Sequence, residues 1–368
     1  MSNQFADLLR ERHANAQRWK ASGRGIVGTF CIYTPDEVLY AAGLIPVRVM
    51  GINEPPSRSD THLQPFYCPL SRSCLDQALR GDYGYLDGLV TAYSCDTYRG
   101  IFQLWQRHVP VPYSRILGMP SRVDLPEAQT LLVEELAEWV ASLEESFQRP
   151  ISPESLRHAI QTYNANRALL RELYRLRQEE APRMSGAEAL EAILAGMVCP
   201  KEQHTQLLKE FLREVNDRPF GSSRLPRLLL VGSELDNPEI VGLIELAGAV
   251  VVADDLCTGS RSLWNDCLDG EADPLAAIAS RYLNLIPCPT KYPIEGRYQH
   301  LLRLVDQFRV QGVVILQQMF CHPHELEYPH LQGILRERRI PFVCIALDAT
   351  YSAEEIQTQA EELIERID

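Results

Sequence analysis

Along this chain, short runs of Val, Ile and Leu alternate with longer stretches whose apolar residues recur every three or four positions. The short runs lie at 25–30, 45–50, 88–93, 114–118, 227–231, 250–253, 312–317 and 341–347. Most are nearly continuous in apolar character, the signature of strands covered on both faces. Helical patterns fill the gaps, for example at 35–42 and 238–246. The second of these has a legible start: Asn237 can cap it, Pro238 suits the first helical position and Glu239 follows in the first turn. Strand–helix–strand alternation predicts parallel α/β sheets.

The middle of the chain reads differently. Segments 131–148 and 155–177 are long and amphipathic, with apolar spacings such as Leu132, Leu136, Val140 and Leu143. Ser185 and Glu188 stand at capping-box spacing before another helix. The predicted organisation is an N-terminal α/β domain (1–124), a helical block with linker (125–221) and a C-terminal α/β domain (222–368). The stretch "RPFGSSRLPR", 218–227, leads into the last. The expected fold is therefore two Rossmann-like parallel-sheet domains with a helical block between them. Ligands of open parallel sheets bind beyond the carboxyl ends of the strands, which puts the expected site in the interdomain cleft.

Charge narrows the partners. The 368 residues carry a net charge of -13, unlike a non-specific nucleic-acid binder, whose phosphate contacts need clustered Lys and Arg. No apolar run approaches the ~20 residues that span a bilayer. The first twenty residues are amphipathic and charged, without a secretory apolar core. A soluble cytoplasmic protein without nucleic-acid or membrane partners is expected. No Gly-x₄-Gly-Lys-Ser/Thr loop occurs, so ATP is not expected to bind here.

The ten cysteines carry the chemistry. Disulfide scaffolds are short secreted chains, and this chain is long. Cys199, Cys267 and Cys344 sit in apolar or helical patterns, as small core residues do. Others stand where strands end: Cys31 after "GIVGTF", Cys95-Asp96 after "GLVTAYS", and Cys321-His322 after "VVILQQMF". Gly232-Ser233, Asp254-Asp255 and Asp348 occupy further strand ends, and "FYCPLSRSC" adds Cys68 and Cys74 in a loop entering a helix. The spacings Cys68-x₅-Cys74 and Cys257-x₉-Cys267 are wider than the close pairs of structural zinc sites. On spacing alone, an iron–sulfur site, buried structural cysteines and zinc all stay open.

Five motifs, in order, resemble the landmarks of the 2-hydroxyacyl-CoA dehydratase and benzoyl-CoA reductase family: "GTFCIYTPDEVLYAAGLIPVRVMG", "FYCPLSRSCLDQAL", "LDGLVTAYSCDTYRG", "ADDLCTGSR" and "FCHPHELEYPHLQGIL". The middle helix "YNANRALLRELYRLR" is also similar, and the likeness runs from about residue 25 to 352. It implies a [4Fe-4S] cluster held by Cys68, Cys95 and Cys321. It also implies electrons received from a separate ATP-hydrolysing activator and passed to a CoA thioester, for dehydration or ring reduction. A second, paralogous iron–sulfur subunit is the implied partner. A larger double cluster, an electron relay without its own substrate, and an α/β protein whose cysteines only pack are the competing readings.

Other residues invite roles of their own. Ser233 opens a helix N-terminus suited to an anion or carbonyl oxygen, and Arg261 could meet a phosphate or carboxylate, so both are candidate substrate contacts. Asp96 is expected to fix its loop by accepting backbone N–H bonds. His322 and His324 are expected to orient the loop of Cys321, and Glu37 to serve as a first-turn helix carboxylate. The chain departs from the family pattern near its end, where "ALDATYS" has Ala346 in place of a Glu and no Thr-Arg follows. The Cys-Pro-Tyr insertion of double-cluster relatives is absent as well. The altered end favours a heterodimer with a more typical paralogue over a homodimer.

Overall fold

The computed structural model describes residues 4–268 and 272–367. Its first sheet contains β1 (Gly25–Phe30), β2 (Leu44–Arg48), β3 (Gly88–Ala92) and β4 (Tyr113–Leu117). Its second contains β5 (Arg227–Gly232), β6 (Val250–Asp255), β7 (Gly312–Gln318) and β8 (Phe342–Leu347). All pairings are parallel, in the orders β2-β1-β3-β4 and β6-β5-β7-β8. The two halves thus repeat one strand order, and each is an α/β unit of the Rossmann-like kind.

The central strands of each sheet are covered on both faces, which is why most strands read as nearly continuous apolar runs. In the first sheet Val27 and Val90 face one core while Ile26, Phe30 and Leu89 face another. In the second, Leu229, Val231 and Ile315 face one core and Leu228, Leu230 and Val314 its opposite. This is the alternation that a strand's period of two imposes. Helices Pro126–Phe147, Pro153–Arg177, Gly186–Ala195 and Lys201–Asp217 lie between the sheets in sequence. Ser185 and Glu188 close the capping box expected of them. Among the described residues, no helix is long and apolar enough to cross a membrane.

Three local expectations need correction. Helix Glu239–Leu246 starts one residue later than expected, with Pro238 at the cap, although the Asn237 side chain still accepts the Glu239 N–H at 3.0 Å. The buried stripe of helix Pro126–Phe147 runs through Leu132, Leu136, Trp139 and Leu143, leaving Val140 at its margin. Strand β6 continues through Asp254 and Asp255 rather than ending before them. Buried carboxylates can stay in a strand when they are paired. Asp255 meets Arg261 at 3.0 Å and Arg297 at 2.9 Å, and Asp254 accepts from Tyr174 and from the Ser260 N–H.

Candidate functional site

In each sheet the strand order reverses between its two central strands, β1 and β3 or β5 and β7. Chains leaving neighbouring strands there diverge to opposite faces and open a crevice. Cys31 follows β1 and Cys95 follows β3, while Ser233 and Glu234 follow β5 and Cys321 follows β7. These residues line one cavity of about 80 Å³ together with Cys68, Cys257 and Cys288. Six of the ten cysteines, from both halves of the chain, therefore surround a common space.

Cys68, Cys95 and Cys321 share a local geometry. Each is the residue that caps a helix, respectively Pro69–Arg80, Asp96–His108 and His322–Glu337. The N–H of the third helical residue (Ser71, Tyr98 and His324) favours the thiolate in each case, although no regular capping hydrogen bond is closed. Helix N-termini stabilise anions through such N–H groups and the helix dipole. The approach to two of the thiol-bearing loops is strained: Cys31 has φ 63° and Phe320, just before Cys321, has φ 61°. Non-glycine residues in the left-handed region cost roughly 1–2 kcal/mol and persist only where surrounding structure demands them.

Burial dominates the electrostatics. It pushes Cys321 up to about 12 and Cys31 to about 11, and raises Cys68, Cys95 and Cys257 as well. Charge on the neighbouring thiols adds to this: Cys95 feels Cys68, Cys31 and Cys321. So many thiols cannot ionise together unless a cation replaces their protons. Among the described residues no three Cys, His, Asp or Glu side chains converge tightly enough for a single metal ion. A polynuclear cluster asks for something different, since its metal atoms fill a volume and its sulfur ligands stand apart around it. A ring of soft donors about a small cavity, three of them at helix N-termini, fits such a group.

The other residues singled out in the sequence fall in distinct places. Ser233 lines the cavity, and its hydroxyl favours the Cys321 thiolate. Arg261 is wholly buried; it bonds to Asp255, to the Gly232 carbonyl at 2.8 Å and to Cys257 Sγ at 2.9 Å, so meeting a substrate anion would require one of these to give way. Its loop explains the glycine of "CTGSR", because a Cβ on Gly259 would stand 1.9 Å from Asp254 Oδ1. Asp96 is exposed and accepts the Tyr93 hydroxyl at 2.9 Å rather than backbone N–H groups. His324 lines the cavity 3.6 Å from Glu327, and burial with the nearby arginines holds its pKa well below the usual value. Glu37 is buried with Arg167 at 2.8 Å and the Tyr282 hydroxyl at 2.8 Å; against the upward push of burial, Arg167 holds it at about 2. Cys74 is buried away from the cavity, as are Cys199 and Cys267.

Sequence reasoning did not single out Glu234 or Tyr98. Glu234 is buried at the cavity wall, pairs with Arg48 at 3.3 Å and hydrogen-bonds Tyr98. An acidic residue directly after strand-end Ser233 was the available signal.

Doubled parallel sheets that aim cysteine-bearing strand ends and helix starts at a shared cavity define a class: a two-half α/β protein with a thiol-lined centre. The profile of the "2-hydroxyglutaryl-CoA dehydratase, D-component" family matches residues 31–367, and the chain belongs to that family. It is 28% identical to the beta subunit of lactoyl-CoA dehydratase from Anaerotignum propionicum, over 99% of this chain and 98% of that one. It is also 28% identical to a benzoyl-CoA reductase subunit from Thauera aromatica, over 89% and 87% of the two chains. The beta subunit of (R)-2-hydroxyglutaryl-CoA dehydratase from Acidaminococcus fermentans is 28% identical over 90% and 89%.

Proposed function

We propose that this chain is the iron–sulfur subunit of an enzyme acting on a CoA thioester, with a [4Fe-4S] cluster held by Cys68, Cys95 and Cys321. The observation that carries this reading is the convergence of these helix-capping thiols, from both halves, on one cavity. When bound, such a cluster supplies one-electron chemistry at low potential and a Lewis-acidic iron where a protein ligand is lacking. The chain's own residues do the rest. The Ser71, Tyr98 and His324 N–H groups and the Ser233 hydroxyl favour thiolates. The wall of buried Leu70 and half-buried Tyr98 and Pro323 limits water around them.

The relatives named above are subunits of enzymes named for CoA thioesters, which supports both the substrate class and a second subunit. Exposed apolar side chains near the thiols support a docking face there. Phe66, Tyr93 and Leu326 are 55%, 41% and 83% exposed, and each lies within a few residues of Cys68, Cys95 or Cys321. A heterodimer served by a separate ATP-hydrolysing activator is the assembly we infer.

Cys31, Cys257 and Cys288 favour a second reading, a double cluster that uses all the cavity thiols. Anaerobic purification with iron and sulfide analysis separates the readings. About four irons per chain supports the single cluster and about eight the double one. An iron-free, colourless chain overturns both.

A further inference from the structure

A second, partly open space of about 80 Å³ lies in the seam between the first half, the helical block and helix Pro274–Leu283. Its walls are mixed, and their polar part includes Thr34, Asp36, Arg48, Tyr163, Lys201 and Arg281. Asp36 Oδ1, Tyr163 Oη and Arg48 Nε are buried there without any protein hydrogen-bond partner. Arg48 is 5% exposed and Tyr163 6%. Orphaned polar atoms of this kind are satisfied by ordered water, and each water needs only about 10–15 Å³.

The seam cavity connects in two directions. Outward, Asp36, Tyr163 and Lys201 also line a constriction of about 10 Å³, whose other walls include Arg24, Tyr40 and Glu202. Arg24 and Glu202 are exposed, and Tyr40 hydrogen-bonds Glu202. Inward, Arg48 reaches Glu234 at 3.3 Å, and Glu234 belongs to the wall of the thiol cavity. We propose that the seam is a proton path, in which water and the Asp36 carboxyl carry protons from solvent at Tyr40 and Glu202 to the Arg48–Glu234 pair beside the thiols.

Asp36 suits a carrier. The charged and titratable groups around it are Glu37 on its own helix, Arg48 at the end of β2, Tyr163 and Arg167 on helix Pro153–Arg177, Lys201 at the start of helix Lys201–Asp217, and Arg281 and Tyr282 on helix Pro274–Leu283. Burial raises its pKa, against the pull of Arg48 and Lys201. Lys201 is itself pushed down by burial. The purpose of the path rests on the proposed redox role of the thiol cavity, while its geometry does not. A buried centre that gains an electron is left with an uncompensated charge unless a proton follows.

The test uses the full-length, cluster-loaded chain in weak buffer with a pH indicator and a photoexcited ruthenium complex as one-electron donor. The complex is oxidised, one electron enters the protein and one proton is taken from water. Asp36→Asn and Asp36→Leu are expected to slow proton uptake by roughly 100-fold, the lower range for losing a positioned acid–base group. Bleaching of the chromophore, which follows the electron, should keep its wild-type rate. Proton uptake as fast in Asp36→Leu as in wild type, or proton and electron slowed together, overturns the path. A colourless chain overturns the proposed function instead, and the path is then read by infrared spectroscopy in mildly acidic H₂O and D₂O. A carboxyl band lost in Asp36→Asn should shift to its deuterated position within the mixing time, and a band that is absent or does not exchange overturns the path.

Discussion

Replacing Asp255 by Asn keeps the shape of the side chain and removes one charge from the most deeply buried ion network in the C-terminal half. Asp255 and Arg261 are 0% exposed and Arg297 is 1% exposed. Arg297 would retain Glu327 at 2.6 Å, whereas Arg261 would be left with carbonyl oxygens and the Cys257 sulfur. Removing one partner from a buried pair costs roughly 3–5 kcal/mol, because the other charge stays buried without compensation. For a domain of 150–250 residues each kcal/mol moves Tm by about 2–4 °C, so a drop of about 6–20 °C is expected. The pH dependence follows from the sign of the shift. Burial would raise the Asp255 pKa, but Arg261 and Arg297 hold it far below the carboxylate range. A depressed carboxylate contributes stability that is complete above its unfolded pKa of about 3.9 and is lost as pH falls through the folded value. The gap between wild type and Asp255→Asn should therefore be flat from about pH 8 to about pH 5 in urea titrations followed by circular dichroism. A gap below about 1 kcal/mol, or one that closes as pH rises, would refute the reasoning. Asp124→Asn, at the exposed Arg122 pair, is the control and should melt with wild type.

Three further outcomes are expected. Cys68→Ala, Cys95→Ala and Cys321→Ala should each abolish the brown chromophore of anaerobically purified protein, whereas Cys199→Ala and Cys344→Ala should retain it; a full cluster in Cys321→Ala would exclude ligation from both halves. Burial lowers the His204 and His300 pKa values to about 3 and 4, so the unfolded chain binds protons the folded one refuses, and stability should fall as pH drops below about 6.5. His204→Gln should flatten that slope in pH-dependent denaturation, and an unchanged slope would assign it to other groups. The chain expressed alone should not turn over CoA thioesters even with cluster, activator and ATP, and turnover under those conditions would remove the need for a second subunit type.

The eight strands are legible in the sequence because most of them are buried on both sides and leave nearly continuous apolar runs, with β4 and β8 only partly buried. What local pattern misses is partnership over distance. Asp254 and Asp255 read as the end of β6 because their partners Tyr174, Arg261 and Arg297 come from other elements. Trp139 displaces Val140 from the buried stripe because the orientation of that helix depends on what it packs against, which periodicity does not encode. At the site, strand-end position alone brings Cys31, Cys95, Ser233 and Cys321 to one place. Cys257 and Cys288 lie on loops whose course depends on the Arg261 bonds and on the Tyr33 hydroxyl, which accepts the Cys288 N–H at 3.1 Å. The seam cavity left no sequence signal, since Asp36 and Lys201 look like ordinary residues in a first helical turn.

The helix-capping thiols have a mechanical consequence. Cys68 and Cys95 belong to the first half and Cys321 to the second, so any group that grips all three acts as a bolt across the molecule. Its affinity for the closed arrangement adds directly to the resistance of that arrangement to opening, through the logarithm of one plus its free concentration over the dissociation constant. Loading and shape are then one equilibrium. The segment 218–227, exposed over most of its length, is the backbone on which a protease would first register the bolt being drawn.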